Sequence, residues 1–192
     1  MMRSRILFAA GFLSLVPSLA FAHPGEHAHS LLAGMAHPVT GLDHVLAMLA
    51  VGIWAAQKGG RALWAWPLCF IGFMVLGGVL GMQGIALPLV EPAIAASVLV
   101  LGLLIASMAM LPMSAGAVLV AAFALFHGNA HGLEAPATGE GLLYALGFVL
   151  ATAGLHGLGA AVGLFSRSHR LVQGVRLGGA VIAGIGSVLL FV

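Results

Sequence analysis

Charge is what this sequence has least of. Of its 192 residues only 6% are Asp, Glu, Lys or Arg, while 61% are hydrophobic; an ordinary soluble domain carries about 25% charged residues. So few charges cannot cover a water-facing surface, and a soluble globular fold is excluded. Cysteine is scarce as well. Cys69 stands alone, which rules out an internal disulfide and any cysteine-rich metal site. The small basic excess also disappears on inspection. Setting aside Arg3 and Arg5 in the first 22 residues leaves five basic residues against five acidic ones, so no nucleic-acid partner is implied. A phosphate-cradling Gly-rich loop ending in Lys is absent too, and with it any sign of an ATP-driven engine.

What the chain does have is apolar length, with a mean hydropathy of +1.15. Each crossing of a bilayer needs about 20 apolar residues, and such stretches recur from Leu31 to Val192. The expectation is an all-α, polytopic membrane bundle. Its six transmembrane helices are predicted at about 31–56, 64–83, 92–111, 113–133, 141–166 and 171–192. Ahead of them, residues 1–22 read as a cleavable signal peptide. Arg3 and Arg5 precede the apolar run Ile6 to Val16, and Ala20-Phe21-Ala22 puts small residues at −3 and −1 of the cut. Residues 23–30 would then form a His-rich external segment, and 31–192 the membrane domain.

Charge placement gives the orientation. With His23 as an external N-terminus, Lys58, Arg61, Arg167, Arg170 and Arg176 all fall in or beside cytoplasmic connections, as the positive-inside rule requires. The loops holding Glu91 and Glu134 to Glu140 carry no Lys or Arg and fall outside. The expected location is therefore a bacterial inner membrane, with the lipid bilayer as partner and the mature N-terminus periplasmic. Trp54, Trp64 and Trp66 flank the first cytoplasmic loop and read as interface anchors. Glycines four apart, Gly77 and Gly81, Gly159 and Gly163, Gly174 and Gly178, allow close helix packing in lipid.

Against this background the ionisable residues within the spans stand out, because a polar group in hydrocarbon costs several kcal/mol unless it is paired or lines a wet cavity. They gather in three places. His37-Pro38-Val39-Thr40-Gly41-Leu42-Asp43-His44 contains a proline and a glycine that should break or kink the helix. Phe126-His127-Gly128-Asn129-Ala130-His131-Gly132-Leu133-Glu134 sets His127, His131 and Glu134 on one helical face, a spacing that presents two imidazoles and a carboxylate together. His156 lies among Gly154, Gly157 and Gly159. Counted from the cytoplasmic boundary at ~1.5 Å per residue, His44 and His127 both lie roughly 21 Å deep and His156 roughly 16 Å. The set reads as a path descending inward. The competing reading for His156 is a buried ring satisfied by a backbone carbonyl. Met108, Met110 and Met113 could be soft ligands, although methionine more often fills apolar gaps.

At these motifs the chain resembles the HupE/UreJ family of nickel and cobalt permeases, membrane proteins encoded with hydrogenase or urease systems. The likeness is carried by His37-Pro38 with Gly41-Leu42-Asp43-His44 and Ala50-Val51-Gly52, and by Phe126-His127-Gly128 with Ala130-His131-Gly132 and Glu134. The resemblance implies that His37, Asp43, His44, His127, His131 and Glu134 handle the metal, and that the divalent ion is substrate rather than prosthetic group. It also implies secondary transport, not enzymatic turnover, and a link to hydrogenase or urease maturation.

Imidazole with oxygen ligands and no thiolate suits Ni(II), then Co(II), and argues against Cu(I). Capture needs neutral imidazole, so it should weaken as external pH falls through the range where histidine protonates. In the external segment His23, His27 and His29 read as a modest, exchangeable metal collector. The alternative is a zinc-dependent intramembrane hydrolase in which two or three of the intramembrane histidines and Asp43 hold Zn(II) and Glu134 serves as general base.

Overall fold

A computed structural model describes residues 30–135, 141–165 and 169–192. The proposed signal peptide, His23, His27 and His29, and the loop with Glu140 lie outside the described residues. So do the side chains of His169 and Arg170.

Every regular element among the described residues is helical. Helix α1 (Leu31–Ala36) runs into a single tight turn, His37–Val39, and then α2 (Leu42–Lys58) begins. There follow α3 (Ala62–Met82), α4 (Val90–Ser107), α5 (Met113–Glu134), α6 (Gly141–Phe165) and α7 (His169–Leu189). Five helices are long and apolar enough to cross a membrane, and the bent pair of residues 31–39 and 42–58 makes up to six. The chain is a multi-pass membrane protein.

The expected break at Pro38 and Gly41 is present as an 86° bend. Its causes are local. Pro38 occupies the start of the tight turn, where its missing N–H costs nothing. Gly41 holds an extended φ of −94° and ψ of 119° as the residue before α2, and a side chain there would press on Asp43 and His44. With 17 residues α2 is ~25 Å long, a little short of the ~30 Å hydrocarbon layer, and it reaches the length of a crossing only when taken together with residues 31–39. The other predicted spans agree within a few residues except at the end of α4. That helix stops at Ser107 because Met108 takes a left-handed φ of 56° and caps it.

Helix α2 is the centre of the bundle, packed on α3, α4 and α6, while α3 pairs with α5, α4 with α7, and α1 with α6. Glycine sets the closest of these approaches. On the α3–α5 contact a Cβ at Gly77 or Gly81 would strike the backbone of α5, and one at Gly128 or Gly132 would strike the backbone of α3. Each motif histidine of α5 is thus followed by a glycine because the next position faces α3 with no room for a side chain. Gly159 likewise meets the backbone of α2 at Leu49. Gly174 and Gly178 have the same spacing but meet nothing within 4 Å; Gly179 and Gly186 make that helix's close contacts with α4.

The two ends of the bundle differ. Lys58, Arg61, the α4–α5 turn and Arg176 gather at one end, where the Arg176 Nε–H donates to the carbonyl of Ala106. His37, Glu134 and the α3–α4 loop lie at the other. At the basic end the expectation for the tryptophans needs correcting. Only Trp64 is exposed; Trp54 and Trp66 are fully buried and stacked on each other with ring centroids 4.2 Å apart. Their indole N–H groups donate to the carbonyls of Ala109 at 2.9 Å and Met113 at 3.1 Å. The carbonyl of Ala109 lies in the α4–α5 turn, outside any helix, and needs a donor; burial with both N–H groups satisfied outweighs the preference of indole for the lipid interface.

Candidate metal centre

The bend at Gly41 lays α1 against α6 and brings His37, in the tight turn, against His131 of α5, 94 residues away. His37 Nε2 and His131 Nδ1 are 2.8 Å apart. Glu134 Oε2 lies 3.6 Å from the first and 4.0 Å from the second. Among the described residues these three side chains form the group whose donor atoms already lie within reach of one ion. Glu134 is 66% exposed and His37 31%, so the group forms a mouth open to the surroundings.

Further in, the rings continue as a ladder. His131 stands 4.2 Å from His44 between ring centroids, and His44 stands 4.7 Å from His127. Phe70 then lies against both His127, at 5.7 Å, and His156, at 5.0 Å. The equal depth inferred for His44 and His127 from loop counting corresponds to this direct contact. One turn beyond Phe70 on α3 lies Trp66, and the stacked indoles close the basic end.

The deep rings are held by one nitrogen each. His44 Nδ1 donates to the Asp43 carboxylate at 2.7 Å, and the same Oδ1 accepts the backbone N–H of His44 at 2.8 Å. His156 Nδ1 donates to the carbonyl of Met48 at 2.8 Å. Since a carboxylate or a carbonyl only accepts, these bonds place a proton on each Nδ1, and in the neutral ring they leave the lone pair on Nε2. His127 Nε2 lies 2.9 Å from the hydroxyl of Ser97. The second nitrogens have no hydrogen-bond partner among the described residues: His44 Nε2, His127 Nδ1, His131 Nε2 and His156 Nε2 are all buried. An unsatisfied buried group costs about 1–3 kcal/mol. Four of them would consume much of the roughly 5–15 kcal/mol by which a protein is stable, a cost that packing alone has no reason to bear.

Several contributors were not singled out from the sequence. Phe70 bridges His127 and His156, Ser97 holds His127, and Phe148 packs on the rings of His37 and His131. Asn129, inside the second motif, is fully buried. Its Nδ2 donates to the carbonyl of Ile85 at 2.8 Å and its Oδ1 accepts from the N–H of Leu87 at 2.9 Å, pinning the α3–α4 loop. An isolated Ser or Asn in an apolar helix was the available signal. Met108, Met110 and Met113 line the α4–α5 turn and its flanks, away from the ladder.

Comparison with known proteins bears on the same residues. The family model described as HupE / UreJ protein matches residues 11–189. The chain belongs to the HupE/UreJ family. It is 46% identical over 183 residues to Protein HupE of Rhizobium leguminosarum bv. viciae, an alignment covering 94% of this chain and 95% of that one. No solved structure matches. The family match spans both histidine motifs and His156, so mouth and ladder lie within the shared region.

Proposed function

We propose that this HupE/UreJ protein is a permease that carries divalent nickel, with cobalt as second choice, across a bacterial inner membrane by way of the histidine ladder. The observation that carries the reading is the run of buried imidazole nitrogens without partners, starting beneath a mouth of two histidines and a carboxylate. Nitrogen and oxygen donors without thiolate fit Ni(II) and Co(II).

In this mechanism His37, His131 and Glu134 take the ion from its hydration shell, and the Glu134 carboxylate offsets part of its charge. His131 is two-sided. Its Nδ1 faces the mouth and its Nε2 is buried, so a ring rotation passes the ion toward His44. Asp43 makes the His44 lone pair more basic through the 2.7 Å bond and adds negative charge beside the ladder. His127 receives next, and His156 beyond Phe70 is the inward station. His23, His27 and His29 collect metal outside and deliver it to His37. The link to hydrogenase or urease maturation follows from nickel as the cargo.

A zinc hydrolase finds no support here. Its intended general base, Glu134, sits with His37 and His131 at the exposed mouth, in the position of a ligand rather than of a base beside a bound ion. The test is uptake of radioactive nickel and cobalt by cells expressing the chain, beside a His127→Ala variant present at the same membrane level. Equal uptake in the two would sink the permease reading.

A further inference from the structure

We infer that Ser97 is a positioning residue for the ladder, fixing His127 as its Nε2–H tautomer so that the Nδ1 lone pair faces the ion path. The inference rests on the transport reading for its consequence and on geometry for its content. Ser97 and His127 are both fully buried, so water cannot rearrange their bonding. A hydroxyl has one proton to give. Ser97 Oγ lies 2.6 Å from the carbonyl oxygen of Ile94 and 2.9 Å from His127 Nε2.

Only one assignment satisfies both contacts. A carbonyl oxygen cannot donate, and two oxygens at 2.6 Å with no proton between them would set lone pair against lone pair. The Ser97 proton is therefore committed to Ile94, the usual back-bond of a serine in a helix. Its oxygen then has lone pairs left, and the proton in the His127 contact must sit on Nε2. The ring carries one proton when neutral, so Nδ1 is bare. This is the atom that is buried without a partner, on a ring packed edge-on against His44.

His127 thereby joins a pattern. His44 leans on Asp43 and His156 on the Met48 carbonyl, each exposing one lone pair through a bond made by the other nitrogen. The three anchors come from α2 and α4, so the deep rings are oriented by helices other than the one that carries His127. Without Ser97 the His127 ring could place its proton on either nitrogen, and the protonated fraction at Nδ1 would repel a cation.

The deciding measurement is nitrogen NMR of the full-length protein in lipid bilayers with its histidine rings labelled with nitrogen-15. The His127 signals are identified by their loss in His127→Gln. The unsubstituted protein should show His127 protonated on Nε2 and bare on Nδ1, and Ser97→Ala should shift the ring toward a mixture of tautomers. In uptake assays Ser97→Ala should weaken apparent nickel affinity by about tenfold or more, the usual cost of losing a group that orients a ligand. Ser97→Thr, which keeps the hydroxyl, should recover the Nε2-protonated signal. A His127 protonated on Nδ1 in the unsubstituted protein, or an unaltered ring in Ser97→Ala, overturns the assignment. The NMR arm uses no metal. Its failure is therefore separable from that of the transport reading, which shows itself as normal uptake by His127→Ala.

Discussion

The mouth and the interior of this molecule use the same side chain in opposite ways. At the mouth, His37 and His131 face each other and a largely exposed carboxylate, with no backbone or hydroxyl anchor among the described residues on the ring atoms that meet there. In the interior, His44, His127 and His156 are each tied by one nitrogen to an oxygen on a neighbouring residue or helix. Loose ligands exchange quickly and adapt to a hydrated ion. Oriented ligands are preorganised, because the entropy of aiming them was spent in folding. On the transport reading, the difference teaches that burial and anchoring are combined at depth, where water cannot stand in for a misplaced ligand.

Substitutions can break that comparison, and the largest effect belongs inside. His127→Ala is expected to abolish nickel uptake at every external concentration, a loss exceeding the roughly 10–100-fold typical of supporting groups. Retention of half the uptake at saturating nickel would place the path elsewhere.

Next comes the scaffold behind the rings. In Gly128→Ala the new Cβ meets the backbone of α3, and overpacking of this kind costs about 1–3 kcal/mol. Thermal unfolding in detergent should show a clear drop for Gly128→Ala. Gly174→Ala, whose Cβ meets open space, should stay within about 0.5 kcal/mol of the parent.

The two carboxylates sharpen the contrast. Asp43 is 25% exposed and holds His44, whereas Glu134 is 66% exposed at the mouth. Asp43→Asn should therefore lower uptake about 10–100-fold and Glu134→Gln much less, both at normal membrane levels. The reverse ranking, with Glu134→Gln inactive and Asp43→Asn intact, would show that charge matters most at the entrance.

The smallest effect is expected for the external segment. Replacing His23, His27 and His29 together should reduce uptake at scarce nickel and leave the maximal rate nearly unchanged. Uptake curves against nickel concentration decide it. Collapse of the maximal rate would move these histidines into the path itself.

Much of this was legible in the residues, for reasons that also explain the gaps. Apolar run lengths locate crossings because the bilayer fixes them, and counting from basic loops placed His44 level with His127 because helical rise is constant. The break at Pro38 and Gly41 could be read, but its 86° angle could not, so nothing in the sequence brought His37 to His131. Ser97 and Phe70 looked like ordinary members of apolar helices. Their role depends on which face turns inward, and in helices apolar all round no stripe marks that face. Trp54 and Trp66 were misjudged for a related reason: position near a loop suggested lipid headgroups, while the nearby carbonyls of Ala109 and Met113 drew them in.

That indole pair has an optical consequence. Of three tryptophans, two are stacked in a dry environment beneath Phe70 and one faces outward, so emission from this protein reports mainly on the far end of the ladder. On the transport reading, a state that opens the basic end at this point would part the two rings and release their N–H groups from Ala109 and Met113. The molecule therefore carries its own lamp at the basic end, with no label needed to follow a change there.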